Sequence, residues 1–497
     1  MALLPILLSA IAQDFNGDGY HDLAIGIPGE DVGTIANAGA VQVIYGAFGG
    51  LRSSGNQFLH QSTFGIFDVA EAGDNFGQAL AWGDFDADGY DDLAIGVPYE
   101  DFGLRSDAGA VQIIYGSSAG LSTRNSIHNL DNAGMAGVAA NSDLFGAALC
   151  SGDFNGDGYA DLAIGIPYAN YGSVQDCGAV SVIYGGNGGF GVPIGDYWQQ
   201  GLGGIPDKSD TYDLFGATLA CGDFTNDGRD DLAIGAPWED VGLIESAGAV
   251  TIMLGDAGGL IPTPFYWTQD TFGVQDQCEA GEAFGYALAS ADFDGNGYDD
   301  IAVGVPWEDI GFATDAGAVA VFFSGLAGPG GSFNQFWSQD SLGILDVSET
   351  SDAFGFSLAA AQLGGTAHAD LAIGVPFEKV GSVVAAGAVN VIFGAAGTLT
   401  EAGDQFWSQD TFNVLDACER NDMFGYRLTA GDFNRNALYD LAVGIPWEDV
   451  GAVLDAGAVA VLNGGLTSTG NQFWTQDSLG LLDLCESADV FSTGLMQ

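Results

Sequence analysis

Basic residues are scarce in this sequence of 497 residues, where nine Lys plus Arg stand against 66 Asp plus Glu and the formal net charge is −57 at pH 7. Proteins that bind nucleic acids neutralise phosphates with Lys and Arg, and anionic membrane surfaces attract basic segments in the same way. The charge therefore excludes nucleic acid as a direct partner and speaks against binding to an anionic membrane surface.

Histidine, cysteine and long apolar runs are also scarce. The four His have no zinc-ligand spacing, and no run of about 18 apolar residues indicates a membrane span. The six cysteines show no disulfide framework. Three of them occupy one equivalent position in different repeats, and Cys150 and Cys221 fall in predicted first strands, so we expect buried thiols, with oxidation of one pair left open.

Glycine is abundant, with 79 residues and no G-X-Y period, which indicates many turns. One block, first seen from Asp14 to Pro28, recurs along the whole chain. Its seven copies, 69 or 70 residues apart, begin at Asp14, Asp84, Asp153, Asp223, Asp292, Gln362 and Asp432. Each repeat has four short strand patterns separated by Gly, Pro and Asp turns.

The predicted strands contain continuous apolar runs, such as residues 93–97 and 111–115, which indicate burial on both faces. Sheets that pack face to face around an axis meet this requirement. The sequence therefore predicts an all-β fold, a seven-bladed β-propeller with four-stranded blades of about 70 residues, as one domain over residues 13–497.

The two chain ends bear on how the ring closes. A Phe-Gly pair precedes every later copy of the block but not Asp14, while Phe491-Ser492 stands near the C-terminus. We predict that the last residues supply the first strand of blade 1. Residues 1–12 are apolar and end in Ala10-Ile11-Ala12, similar to a cleavage site but without a basic residue, so a signal remnant and a first strand both remain open.

Each block opens with a nonapeptide that has oxygen-bearing side chains at positions 1, 3, 5 and 9 and a backbone carbonyl at position 7. Calcium accepts about 6–8 such oxygens, and Gly at position 6 allows the sharp turn. Repetition favours calcium over turns alone. Five copies predict strong sites with, in order of position, Asp14, Asn16, Asp18, Tyr20, Asp22; Asp84, Asp86, Asp88, Tyr90, Asp92; Asp153, Asn155, Asp157, Tyr159, Asp161; Asp223, Thr225, Asp227, Arg229, Asp231; and Asp292, Asp294, Asn296, Tyr298, Asp300.

The last two copies depart from the pattern. The seventh has Ala437 at the glycine position, which predicts a weak site formed by Asp432, Asn434, Asn436, Leu438 and Asp440. The sixth keeps only Asp370 and is expected to bind nothing. We expect calcium to be structural, because each site with a Kd of about 1 mM adds roughly 1.4 kcal/mol at ~10 mM calcium. A high-salt habitat and a calcium-rich exterior both remain open explanations of the residual negative charge.

Phe215-Gly216, Gly235-Ala236-Pro237 and the Asp-rich loop between them resemble the FG-GAP repeat of the integrin α-chain head, and the likeness covers essentially the whole chain. The resemblance implies a seven-bladed propeller, calcium in the loops, and adhesion or ligand recognition outside the cell or at its surface. No Asn-x-Ser/Thr sequon occurs and no leg or membrane region follows the repeats. We therefore expect a bacterial or archaeal integrin-like protein.

The connection after the second strand lies on the face opposite the acidic loops and begins with an aromatic residue in six repeats. These residues, with acidic pairs behind them, predict a face for a protein or glycan ligand, and a scaffold role is the alternative. The aromatic residues are Tyr99, Tyr168, Trp238, Trp307, Phe377 and Trp447. The irregular segments 126–141 and 188–210 are also candidate recognition loops.

Enzymatic motifs are weak. The residues Gly116-x-Ser118-x-Gly120 match a nucleophile elbow, but no helix is indicated after them, so we interpret them as a hairpin turn. Acid pairs suited to glycoside cleavage recur on many blades rather than at one site. We therefore predict a non-enzymatic module for adhesion or protein recognition, with a lectin-like propeller as the alternative and a hydrolase or lyase after that.

Overall fold

The computed structural model describes residues 13–132, 134–190, 195–271, 273–326, 328–330, 334–467, 469–492 and 494–495. The two interpretations of residues 1–12 concern a segment outside these ranges. The described residues form β-strands joined by turns, with no α-helix. None of them therefore belongs to a helix that could cross a membrane.

Seven four-stranded antiparallel sheets form the blades of a β-propeller, as the sequence predicts. Blade 1 consists of β28 and β1–β3, and the next six blades each take four consecutive strands. The first strands, which contact one another around the central axis, are β4 Leu80–Gly83, β8 Ala148–Gly152, β12 Thr218–Gly222, β16 Ala287–Ala291, β20 Ser357–Ala361, β24 Arg427–Gly431 and β28 Gly494–Leu495.

The second and third strands are the apolar centre of every blade, and almost all of their residues are buried. The second strands are β1 Leu23–Ile27, β5 Asp92–Val97, β9 Asp161–Ile166, β13 Asp231–Ala236, β17 Asp300–Val305, β21 Asp370–Val375 and β25 Asp440–Ile445. The third strands are β2 Ala40–Tyr45, β6 Ala110–Ile114, β10 Ala179–Ile183, β14 Ala249–Leu254, β18 Ala318–Phe322, β22 Ala388–Ala395 and β26 Ala458–Leu462.

The fourth strands lie at the outer edge of each blade and are partly exposed. They are β3 Arg52–Leu59, β7 Asn125–His128, β11 Gly195–Trp198, β15 Ile261–Trp267, β19 Asn334–Trp337, β23 Thr398–Trp407 and β27 Gln472–Trp474. After each of them the chain crosses to the first strand of the next blade on the face opposite the acidic loops.

The Phe-Gly pair fastens each blade to the blade before it. The Phe145 N–H of blade 3 donates to the Ala108 carbonyl oxygen of blade 2 at 3.1 Å, while the Gly146 N–H donates to the Gly165 carbonyl oxygen in the second strand of blade 3 itself at 3.1 Å. A Cβ atom at Gly96 of blade 2 would overlap the Gly146 carbonyl oxygen. The blades therefore approach this closely only with glycine at that position.

The same contact closes the ring with a degenerate pair. The Phe491 N–H donates to the Ala456 carbonyl oxygen of blade 7 at 3.0 Å, and the Ser492 Oγ accepts a hydrogen bond from the Ile445 N–H at 3.0 Å. Just beyond, β28 pairs antiparallel with β1. The predicted closure by the C-terminal strand is confirmed.

Truncation of Phe491 to alanine should open this closure. Phe491 is fully buried in one apolar cluster with Ile25 of blade 1 and Val459 of blade 7. Loss of a buried phenylalanine ring costs about 3–5 kcal/mol, so we expect Phe491→Ala to lower the free energy of unfolding by about that much in urea denaturation. Leu479→Ala is the control, because Leu479 is 97% exposed in the same C-terminal stretch. Equal losses in the two variants would contradict the closure.

Candidate metal centres

The seven acidic loops share one face of the propeller, here called the loop face, and each precedes the second strand of its blade. Loops 1 to 7 are residues 14–22, 84–92, 153–161, 223–231, 292–300, 362–370 and 432–440. Near this face the first strands surround a central cavity of 320 Å³, lined by residues that include Ser151, Cys221 and Ser290.

Loop 2 shows how the backbone folds the acidic side chains inward. The Asp84 carboxylate accepts hydrogen bonds from the N–H groups of Asp88 at 3.0 Å and Gly89 at 2.9 Å, and Asp88 Oδ1 accepts one from the Tyr90 N–H at 3.1 Å. Carboxylate oxygens of Asp84, Asp86 and Asp88 all lie within 4.8 Å of one another. Such a group of oxygens suits a hard divalent cation.

Loop 5 brings its acidic residues together in the same way, with carboxylate oxygens of Asp292, Asp294 and Asp300 within 4.8 Å of one another. The other three predicted strong loops repeat the wrapping around their first residue. In these loops the Oδ1 atom of the first residue, Asp14, Asp153 or Asp223, accepts a hydrogen bond from the N–H of the residue four positions later, at 3.0–3.1 Å.

The carboxylate at position 9 is the most enclosed member of each loop. Asp92 is fully buried and accepts hydrogen bonds from the N–H groups of Phe85 at 3.0 Å and Gly116 at 2.8 Å. Burial above all, together with the nearby Asp86 and Asp84 carboxylates, raises the pKa of Asp92 to about 8. Without a cation this side chain is therefore protonated at neutral pH.

The equivalent position-9 residues behave in the same way. Burial raises the pKa of Asp22, Asp161 and Asp300 to about 8, and the pKa of Asp231 and Asp440 to about 7. A cation held by each loop would compensate the negative charge that burial otherwise suppresses.

The backbone of the loops explains the glycine at position 6. Gly19 and Gly89 have φ angles of 84° and 90°, in the left-handed region where a side chain is disfavoured. In loop 7 Ala437 adopts φ 68° at this position and carries that strain. There the Asn434 Nδ2 group also donates to the Asp440 carboxylate at 3.0 Å, which places a proton where the other loops direct an oxygen. Both features fit the prediction of a weak site.

Loop 6 keeps the buried position-9 carboxylate with its two backbone hydrogen bonds but lacks the other acidic residues. The Gly364 N–H donates to Asp370 Oδ2 at 2.6 Å, and the Gly394 N–H donates to Asp370 Oδ1 at 2.9 Å. The sequence supplies no carboxylate at positions 1, 3 and 5 of this loop. The geometry fits the prediction that loop 6 binds nothing.

The predicted ligand-face aromatic residues are all half-buried. Trp238, Trp307, Phe377 and Trp447 pack against an aromatic core made by Tyr286, Phe356 and Tyr426. The rings of Trp307 and Tyr286 meet edge to face, with centroids 4.6 Å apart, and those of Trp447 and Tyr426 do so at 4.8 Å. The structure thus shows a packing role for these rings, and their ligand role stays a prediction.

In the acidic pairs behind the aromatic residues the glutamate is buried, and the aspartate accepts an N–H of the same loop. Glu239 is buried and accepts a hydrogen bond from Gln200 of the preceding blade at 2.5 Å. Its neighbour Asp240 accepts the Ser246 N–H at 2.8 Å and caps the loop. Sequence reasoning missed the glutamine, although a Gln recurs after the fourth strand in six repeats and is followed by Asp in four of them.

Cys150 and Cys221 are the one oxidised pair whose possibility the sequence left open. The two residues lie in the neighbouring first strands β8 and β12, with Cα atoms 6.2 Å apart, and form a disulfide. Cys177 and Cys278 are buried thiols, and Cys418 and Cys485 are half-buried thiols. Sequence separation hid the pair, because only the ring brings blades 3 and 4 side by side.

The FG-GAP repeat model matches residues 9–44, 76–114, 145–183, 215–253, 284–322 and 424–462. The chain belongs to the FG-GAP repeat family. The six matched segments carry loops 1 to 5 and loop 7, and the sixth repeat with its degenerate loop is not among them. The resemblance to the integrin α-chain propeller is therefore confirmed.

Curated relatives of this FG-GAP protein include integrin alpha-5 of Xenopus laevis, 32% identical over 235 residues, which are 46% of this chain and 20% of that protein. Phosphatidylinositol-glycan-specific phospholipase D of Bos taurus is 34% identical over 176 residues, 35% of this chain and 20% of that protein. The chain thus spans about a fifth of the length of these relatives.

Among solved structures, rhamnogalacturonan lyase PL11 of Bacillus licheniformis covers 88% of this chain and 74% of its own, with 12% identity and a TM-score of 0.37. A likeness of this size carries no argument about function.

Stability should fall with rising pH more steeply without calcium than with it. In unfolded chains the Asp pKa is near 4, whereas the buried Asp22, Asp92, Asp161 and Asp300 have pKa values of about 8. The folded metal-free protein therefore holds more protons than the unfolded chain between these pH values, and its stability falls as pH rises through them.

We expect the free energy of unfolding in chelator to drop by about 3 kcal/mol or more from pH 5 to pH 8, and to drop much less in ~10 mM calcium chloride, where cations replace the protons. Urea unfolding at fixed ionic strength measures both series. Parallel declines with and without calcium would show that the loops hold no cation.

Proposed function

We propose that this FG-GAP chain is an extracellular, calcium-stabilised propeller that acts as a non-catalytic module for adhesion or protein recognition. The observation that carries the proposal is the set of five acidic loops, two of which bring three carboxylates together, while the other three repeat the backbone wrapping around their first residue. Calcium sites of extracellular modules have Kd values of about 0.1–1 mM. Such sites fill in a calcium-rich exterior.

A non-catalytic role is supported by the distribution of the acidic groups. They recur at equivalent positions on many blades, whereas a hydrolase or lyase concentrates a distinct acid and base at one site. The match to a phospholipase D covers only 20% of that protein and assigns no activity to this chain.

We place the protein-binding surface on the face opposite the loops. Three loop tips there expose apolar side chains almost completely, at Leu104, Leu243 and Phe312. Beside Phe312 a groove of 370 Å³ is lined by Trp307 and Phe377, among others. With a net charge of −57, the chain favours a partner that is basic and also offers apolar side chains.

Calcium stoichiometry tests the first part of the proposal. Asp88 and Thr366 occupy position 5 of loops 2 and 6, and each accepts the N–H of the residue two positions later. We expect Asp88→Ala to lose one calcium ion per chain in equilibrium dialysis, and Thr366→Ala to lose none. The wild-type melting temperature should also fall by more than about 10 °C in chelator at fixed high ionic strength. No loss of calcium in Asp88→Ala would overturn the site.

Binding to an immobilised basic protein, cytochrome c, tests the surface. The triple variant Leu104→Ser, Leu243→Ser, Phe312→Ser keeps the net charge, and we expect it to bind at least about fivefold more weakly, equivalent to roughly 1 kcal/mol. Phe48→Ser is the matched control, because Phe48 is 94% exposed on the loop face. Unchanged binding by the triple variant, or equal weakening by Phe48→Ser, would place the surface elsewhere.

A further inference from the structure

A second acidic group lies away from the loops, between blades 5 and 6 on the opposite face. Carboxylate oxygens of Glu349, Asp352 and Glu378 all lie within 4.8 Å of one another. Gln339 of blade 5 donates from Nε2 to the Glu378 carboxylate at 2.7 Å. Lys379 lies at the outer side, with Nζ 3.8 Å from Glu349. One half-exposed lysine faces three carboxylates, two of them buried.

The glutamine–glutamate hydrogen bond recurs at six of the seven blade junctions, always with three further acidic residues at equivalent positions of the repeat, and among the described residues the three carboxylates cluster within 4.8 Å at the junction between blades 5 and 6. The residues are Gln61, Asp68, Glu71, Asp74, Glu100; Gln200, Asp207, Asp210, Asp213, Glu239; Gln269, Asp276, Glu279, Glu282, Glu308; Gln339, Asp346, Glu349, Asp352, Glu378; Gln409, Asp416, Glu419, Asp422, Glu448; and Gln476, Asp483, Glu486, Asp489, Glu30. Four acidic residues at each of six junctions amount to 24 of the chain's 66.

Each of these groups lies next to a buried oxygen that has no hydrogen-bond partner. In all six glutamines Nε2 donates to the buried glutamate, while Oε1 of the same planar amide has no partner, although each glutamine is at least 98% buried. Asp213 Oδ1 and Glu282 Oε1 are likewise buried without a partner. An orphaned buried oxygen costs free energy unless something fills its site.

Carboxyl groups are also neighbours of one another in these groups, as Glu100 is of Asp68 and Glu308 of Asp276. Neighbouring carboxylates repel unless a proton or a cation lies between them. A proton can bridge one pair, but it leaves the glutamine carbonyl oxygen without a donor.

The junction between blades 2 and 3 is an internal comparison, because it has lost the group as a unit. Leu130 stands in place of the glutamine and Ala169 in place of the buried glutamate, and both pack in one apolar cluster. Two further acidic positions are Gly137 and Ala140. Four of the five positions of the group are replaced together at this junction, and the blades still pack there through apolar residues. We infer that the acidic group acts as a unit and is not required for packing between blades.

The one acidic residue retained there has a different counter-charge. Burial raises the pKa of Asp143 to about 6, and the nearby Arg105 acts in the opposite direction. At two of the six groups the counter-charge is a lysine, where Lys208 pairs with Asp210 and Lys379 lies 3.8 Å from Glu349, and no ion pair with an arginine is seen at the six groups among the described residues.

We propose that each of these six junctions binds one hard divalent cation, calcium by the nature of its donors, through the glutamine Oε1, the buried glutamate and the neighbouring carboxylates. These junction sites are separate from the acidic loops and clamp adjacent blades together. Oxygen donors from carboxylates and an amide carbonyl are the ligands that calcium takes in flexible geometry.

Transplanting the apolar junction tests the proposal by loss. The variant Gln339→Leu, Asp346→Gly, Glu349→Ala, Glu378→Ala copies the residues found between blades 2 and 3, and adjoins blade 6, whose own loop is degenerate. We expect one calcium ion fewer per chain in equilibrium dialysis, with an unchanged circular dichroism spectrum. Glu401→Gln, an exposed acidic residue outside the group, is the control and should bind as many ions as wild type.

The reverse transplant tests the same proposal by the gain of a calcium ion at the junction between blades 2 and 3. This test is informative even if the variant that removes the acidic group does not fold. Leu130→Gln, Gly137→Asp, Ala140→Glu and Ala169→Glu, with Arg105→Ala to remove the competing charge, should add one calcium ion per chain. Counts that stay at the wild-type value in both folded transplants would overturn the proposal and leave protons as the occupants. Asp88→Ala tests the loop sites independently, so either set can fail alone.

Discussion

The ring is held together by one repeated contact between neighbouring blades. The Phe-Gly pair of each blade packs against the blade before it, at the start of its third strand and at a glycine in its second strand. Phe145 and Gly146 show it in full, and Phe491 with Ser492 repeats it at the closure. Because every sheet is apolar on both faces, a blade is stable only between two neighbours. The ring removes the problem of exposed faces, and its last strand completes its first blade without a covalent link.

This packing brings acidic residues close together in a chain that has few basic ones. Only five ion pairs occur among the described residues, and several use long exposed side chains. Surface pairs of this kind contribute roughly 0–1 kcal/mol each. Buried carboxylates such as Asp92 and Glu239 therefore depend on protons or on metal ions. The cations proposed for the loops and the junctions would compensate this charge and let the acidic propeller stay compact at neutral pH.

The two sets of sites differ in how visible they are in the sequence. Loop 2 holds its ligands within nine consecutive residues, so its spacing alone predicts a cation. The junction group around Glu378 takes Gln339 from one blade and Glu378 from the next, 39 residues apart. The sequence shows both residues as parts of a repeat, and only their contact shows a shared role. The disulfide between Cys150 and Cys221 was hidden for the same reason.

The sequence by itself determined the repeat, the seven-bladed fold, the acidic loops and the strand that closes the ring. Each of these features follows from short motifs that recur at a constant spacing of 69 or 70 residues along the chain. Tertiary structure decided what lies between the blades. It buried the glutamates that follow the aromatic residues, packed Trp307 and Trp447 against an aromatic core and joined two first-strand cysteines. These outcomes depend on contacts across a blade junction between residues that are 39 to 71 positions apart in the chain. A local sequence pattern does not show which of such distant residues touch.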